Sequence, residues 1–222
     1  MINLPNYFES KNIHLECESK QAIDFNNMVK MDVPKKIQMQ ICNTKYFYIT
    51  ISNMKSTVNL KESIKYKEII VKIPVVYAGG RYLYPIVSFV DNIHSFLRGT
   101  LLGFYKEMEF HLDISGEIVC DTEYISFSLP LLNGSTPVAK PNELSSPFLL
   151  HRNISVPPNL CATDFITLDV VNPEEEYFNK YNSDGQAHLT IFEKSCRIKN
   201  MYVSSETFAI IGTKKIIEEG VD

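Results

Sequence analysis

Residues 68–90 read EIIVKIPVVYAGGRYLYPIVSFV. Glu68–Tyr77 and Tyr82–Val90 are rich in β-branched and aromatic side chains, the composition of strands. Gly79-Gly80 lies between them, where a tight turn needs positive φ and glycine takes it at no steric cost. The stretch therefore predicts an antiparallel hairpin. Neither G-x-x-x-x-G-K-[ST] nor G-x-G-x-x-G surrounds the glycines, so a phosphate cradle is the weaker reading.

The flanking sequence extends this β pattern. Tyr46–Ser52 (YFYITIS), Lys106–Ile114, Phe165–Val171 and Gly185–Phe192 have the same character, and Ser115-Gly116 joins two further apolar runs. Six prolines between Pro130 and Pro158 break the pattern into a long excursion with a short strand near PFLLHRNI. One helix is expected from Ser19 or Lys20 to Met31, on the recurrence of Ala22, Phe25 and Val29, with Ser19 as cap and Pro34 as terminator. A shorter one is expected in PEEEYFNKY, with Pro173 in its first turn. The fold class expected is α+β, predominantly antiparallel β, as a single domain over residues 1–222.

Hydrophobic residues form 45% of the chain and charged residues 22%, enough for a core and without the signature of disorder. A net charge of −4 with dispersed Lys and Arg argues against a nucleic-acid partner. The start, MINLPNYFESKNIHLE, lacks a basic segment followed by an apolar run, and no stretch reaches the ~18 apolar residues of a membrane span, so neither secretion nor membrane spanning is expected. Cys17, Cys42, Cys120, Cys161 and Cys196 are odd in number and lack C-x-x-C, so a reducing cytoplasm is expected. His14, His94, His111, His151 and His188 show no metal-ligand spacing, and no G-x-S-x-G elbow supports Ser-His-Asp catalysis. No metal or organic cofactor is expected.

The chemistry-bearing stretch is Tyr66–Glu107. Tyr66-Lys67-Glu68 is followed four residues later by Ile73-Pro74-Val75, then come Tyr84, Asp91-Asn92 and the run Gly103-Phe104-Tyr105-Lys106-Glu107. This order and spacing resemble the acetoacetate decarboxylase family. Weaker similarity reaches Pro147–Leu150 and Gly185–Phe192, so the resemblance covers most of the chain.

The resemblance implies an antiparallel, barrel-like fold with few peripheral helices, an apolar interior site and homo-oligomers. It also implies a small keto acid or related carbonyl compound as substrate, and it places Lys106 where the family has its Schiff-base lysine. Such a lysine adds to a ketone, loses water and leaves an iminium that accepts the electrons of a breaking carbon–carbon bond; acetoacetate decarboxylase is itself the standard example of how such a lysine is activated. Only the neutral amine attacks, and with an ordinary pKa of ~10.4 roughly one lysine in 2,500 is neutral at pH 7. Apolar surroundings favour the neutral form, and Leu101-Leu102-Gly103-Phe104-Tyr105 has that composition.

By position, Glu68 is expected to orient substrate or move protons, and Arg98, Tyr84 and Phe104 to contact substrate. Three departures from the family pattern stand out: Glu107 replaces its second lysine, Arg98-Gly99-Thr100 replaces Gly-Arg-Glu, and YFYITIS lacks an expected acid. Because alternate residues of a strand face opposite ways, Glu107 is expected to point away from Lys106. The function expected is decarboxylation through an enamine. The same imine could serve dehydration, aldol-type or cyclising chemistry, and a non-catalytic ligand-binding domain is the rival that Glu107 and Thr100 support.

Overall fold

The computed structural model describes residues 4–28, 33–58, 62–109, 118–129, 134–156, 160–181 and 187–217. Among them are twelve strands: β1 Asn6–Ile23, β2 Thr44–Val58, β3 Glu62–Tyr77, β4 Gly80–Val90, β5 Lys106–Met108, β6 Ile118–Asp121, β7 Ile125–Leu129, β8 Ser135–Pro137, β9 Leu150–Val156, β10 Leu160–Tyr181, β11 His188–Ile191 and β12 Lys194–Lys215. The helices α1 (Lys35–Ile41) and α2 (Ile93–Leu102) complete a predominantly antiparallel β fold. All the strands share one sheet in the order β5-β4-β3-β2-β1-β12-β11-β7-β6, with β10 also on β12 and carrying β8 and β9.

Among the described residues the ladders do not close into the expected barrel. Beyond β4, Leu83 pairs with Phe148 in an isolated parallel bridge. There Leu83 N–H donates to Pro147 O and Leu149 N–H donates to Leu83 O, both at 3.0 Å. Pro147 has no N–H to extend this pairing into a strand.

The β3–β4 hairpin forms as expected, its two-residue loop shifted by one position. Ala78 (φ 47°) and Gly79 (φ 75°) make the turn, and Gly80 opens β4 opposite Tyr77. Two successive positive-φ residues suit the right-handed twist of the strands they join.

Neither helix expected from periodicity is present. β1 continues through Ser19, paired with Cys196, to Ile23, paired with Thr44. A 3-10 turn, Phe25–Asn27, follows, with the Asp24 carboxylate accepting from Asn26 N–H at 3.0 Å. Residues 29–32 lie outside the described residues. Pro34 begins a helix rather than ending one: its carbonyl accepts from Ile37 and Gln38 N–H. PEEEYFNKY runs as β10 against Thr207–Met201, with Pro173 in a register shift where no ladder N–H is required. In both places pairing along long neighbours overrides local periodicity. Ser115-Gly116 and most of the expected Lys106–Ile114 strand lie outside the described residues.

β3 is buried on both faces, and its alternation separates core from cavity. Ile69, Val71, Ile73 and Val75 enter the main core with Leu15, Phe47, Ile49, Phe89 and Phe127. Tyr66, Glu68, Ile70 and Lys72 face the other way, into a cavity of about 610 Å³. Cys17, Cys120 and Cys196 are buried in the core as small apolar groups.

Candidate active site

The cavity is built from the face of the sheet opposite the main core. β1 presents Asn12 and His14, β2 presents Thr50 and Ser52, and α2, the Lys140–Phe148 segment and part of β10 also line it. α2 is fixed at both ends. The Asn92 carboxamide accepts from His94 and Ser95 N–H at 2.9 and 3.3 Å, and Gly103, at φ 99°, closes the helix with its N–H on Thr100 O. The chain then turns directly into β5, where Lys106 pairs with Ser88 in the sheet's parallel ladder.

Lys106 is 8% exposed and lines the cavity with Glu68, 6% exposed. Their side chains form a hydrogen-bonded ion pair. Ser95 Oγ stands 3.4 Å from the Lys106 ammonium, and the Phe104 ring centroid lies 5.6 Å from it. Ser88 Oγ donates to the same Glu68 oxygen at 2.5 Å, so the carboxylate is held from two sides. Burial, and then the Glu68 charge, push the Tyr66 phenol up, so it remains an O–H donor.

The residues expected from sequence separate as follows. Lys106, Glu68, Arg98 and Phe104 all line the cavity, and the buried Nη1 of Arg98 has no hydrogen-bond partner among the described residues. Tyr84 does not line it. Leu83 takes the cavity face of β4, and Tyr84, its neighbour on a strand, is buried in the main core instead. Glu107 points away from the cavity and accepts a hydrogen bond from Tyr105 Oη.

The cavity is mainly apolar, as expected, but one side of it is polar. Asn12, Ser52, His14, Thr50 and Ser204 form a hydrogen-bonded floor, with His14 Nδ1 3.0 Å from Thr50 Oγ1 and Nε2 3.0 Å from Ser204 Oγ. Burial, and then the charges of Lys72 and Lys140, hold the His14 imidazole well below its usual pKa, so it is neutral. Lys140 bridges Glu206 at 2.7 Å and Glu175 at 3.3 Å. Ser88, Ser95, Tyr66, Gly99 and Lys72 were not singled out as site residues from sequence. For Tyr66 and Lys72 the signal was present: residues 66, 68, 70 and 72 share one strand face. Among the described residues, no group of three or more His, Cys, Asp or Glu is arranged to hold a metal ion, and no helix is long and apolar enough to cross a membrane.

No family model matches the chain, and no curated protein matches it. Solved structures do. The enduracididine biosynthesis enzyme MppR, complexed with the condensation product of pyruvate and imidazole 4-carboxaldehyde, superposes with a TM-score of 0.70 over 99% of this chain and 92% of its own, at 10% identity. An acetoacetate decarboxylase-like enzyme from Sphingomonas wittichii RW1 gives 0.69 over 97% and 94%, at 11% identity. Acetoacetate decarboxylase from Legionella pneumophila gives 0.63 over 97% and 88%, at 12% identity. The chain has the acetoacetate decarboxylase-like fold.

Proposed function

We propose that the chain is an enzyme of the acetoacetate decarboxylase kind, in which Lys106 forms a Schiff base with the carbonyl of a keto acid. The observation that carries this is the buried Lys106–Glu68 pair inside a cavity large enough for a ligand. Burying an ion pair commonly costs more than its attraction returns, so packing alone gives little reason for one here.

In this mechanism Glu68 takes a proton from the Lys106 ammonium, and the freed lone pair bonds to the carbonyl carbon. The carbonyl oxygen receives the proton from Glu68, and after a second proton transfer it leaves as water, giving the iminium. In a β-keto acid the bond to the carboxylate then breaks, its electron pair moves toward the iminium nitrogen, and carbon dioxide departs. Protonation of the enamine carbon and hydrolysis return product and free lysine. Ser88 orients Glu68, Ser95 supplies a hydroxyl beside the amine, Tyr66 offers a second from the same cavity lining, and Arg98 is available for a substrate carboxylate.

The same enamine could instead attack a second carbonyl compound, as an aldol-type or cyclising reaction requires. The cavity volume favours keeping this second reading, since about 610 Å³ lies in the range of ligands far larger than a four-carbon acid. Homo-oligomer formation and a cytoplasmic location belong to the same proposal. Its test is borohydride reduction with acetoacetate and larger keto acids, followed by peptide mass mapping. A reduced adduct on Lys106 is the expected result, and carbon dioxide release separates decarboxylation from condensation. No adduct with any keto acid or aldehyde, together with an inert Lys106→Ala exchange, sinks the proposal.

A further inference from the structure

Lys72 is the buried charged group for which the mechanism above has no use. It is 4% exposed, lies on the cavity face of β3, and its ammonium stands 5.5 Å from the centroid of the Phe148 ring. The other two buried or half-buried lysines of the cavity are neutralised in place, Lys106 by Glu68 and Lys140 by Glu206 and Glu175. The Lys72 ammonium has no hydrogen bond or ion pair among the described residues. Glu206 is near enough to act on it electrostatically, but that carboxylate already accepts from Lys140 at 2.7 Å and from Ser204 Oγ at 3.1 Å.

Its position relative to the reacting amine is set by the strand. Glu68, the partner of Lys106, and Lys72 are four residues apart on one face of β3, which separates their Cα atoms by roughly 13 Å. Between them on that face is Ile70, with Leu83 and Phe148 also lining the cavity. A ligand reaching from one lysine to the other therefore meets apolar surface in the middle and an uncompensated cation at the far end.

We propose that Lys72 anchors a second anionic group of the substrate, remote from the carbonyl that Lys106 attacks, so that the substrate class is an extended keto diacid rather than a short keto acid. This rests on the Schiff-base reading for the role of Lys106. The division of labour is then spatial. Arg98, on α2 beside Lys106, takes the carboxylate next to the reacting carbon, and Lys72 takes the distal one. Burial, opposed in part by Glu206 and Glu68 and aided by the Lys140 charge, lowers the Lys72 pKa to about 8, which leaves it mainly charged at pH 7 and ready to gain from an anion.

The experiment measures borohydride trapping on Lys106 for a series of methyl-ketone acids, 4-oxopentanoate, 6-oxoheptanoate and 8-oxononanoate, each beside its methyl ester. In the native protein the acid-to-ester ratio should rise with length to tenfold or more. In Lys72→Met the ratio for the long members should fall to near one, the ester in the same protein serving as reference for correct folding. Equal trapping of long acids and esters by the native protein overturns the proposal without any variant, and so does a ratio that survives Lys72→Met. An adduct mapped to Lys72 itself also overturns it, by making Lys72 a reacting amine. If no carbonyl compound labels Lys106, thermal shifts with octanedioate, which has no carbonyl to attack, still decide. A shift present in the native protein and lost in Lys72→Met supports the anchor while the Schiff-base reading fails, and no shift in the native protein ends both.

Discussion

The missing side chain of Gly99 is the space that Lys106 occupies: a Cβ built on Gly99 would fall 1.8 Å from Lys106 Cε and 2.5 Å from Cδ. With Lys106 in this position only glycine fits there, so α2 acts as one wall of a channel for the lysine and any larger residue must displace its amine. Gly99→Ala should push the amine away from Glu68 and lower borohydride trapping on Lys106 by about a hundredfold, the order expected when a reacting group is misplaced by an ångström. Overpacking should cost about 1–3 kcal/mol of stability, leaving a folded protein. Trapping at the native level in a folded Gly99→Ala protein would show that the contact does not position the amine.

Glu68 and Lys106 form a buried pair, so removing one partner strands the other. Glu68→Gln should destabilise the protein by about 3 kcal/mol and lower imine formation by roughly 10²–10⁴ through loss of the proton acceptor. Glu68→Gln with Lys106→Met should recover much of the stability, because no charge is then left without a partner. Urea unfolding of the two single variants and the double variant measures the coupling. Additive losses would mean that the pair is not coupled as its geometry requires.

Lys72 makes stability depend on pH in an unusual direction. Its folded pKa is about 8, below the ~10.4 of an unfolded lysine. Between those values the unfolded chain binds more protons, so this group's contribution to stability rises with pH; the penalty is complete below about pH 8 and gone near 10.4. The charged groups acting on it are Glu206 from β12, Lys140 from the segment after β8 and Glu68 on its own strand, and the neutral His14 of β1 lines the same cavity. Lys72→Met should therefore be more stable than the native protein by about 3 kcal/mol at pH 7, with the gap closing toward pH 10. Paired urea titrations at pH 7, 8.5 and 10 check both sign and window. A stabilising exchange at a residue proposed to bind substrate is the usual trade of stability for function.

The β3–β4 hairpin and the meeting of Lys106 with Glu68 in one cavity were legible in sequence because local signals agree there: alternation, a glycine turn and a matched motif spacing. The helices expected at Ser19–Met31 and Pro173–Tyr181 were not real, because β1 and β10 find backbone partners on long neighbouring strands that no local window contains. Lys72 was visible but unread. In IIVKIPVV a lone charge looks like the solvent face of a strand, whereas in the fold Lys72 is buried facing the cavity with the Phe148 ring beside it. Tyr84 was misplaced for a simpler reason, a one-residue ambiguity in which of Leu83 and Tyr84 takes the cavity face.

Two residues that sequence places beside the chemistry should prove dispensable to it. Tyr84 is 4% exposed in the main core, and Glu107 accepts from Tyr105 Oη outside the cavity. Tyr84→Phe keeps the ring that the core packs around, and Glu107→Gln keeps the acceptor for Tyr105. Each should leave trapping on Lys106 within about twofold, since neither touches the amine and exchanges away from the special features of a fold usually have small effects. The comparison bears directly on which carboxylate serves the lysine. A large loss in Glu107→Gln alongside a small one in Glu68→Gln would transfer the proton-accepting role to the residue that follows Lys106 in the chain. The opposite pattern would tie it to the strand face that Glu68 shares with Lys72.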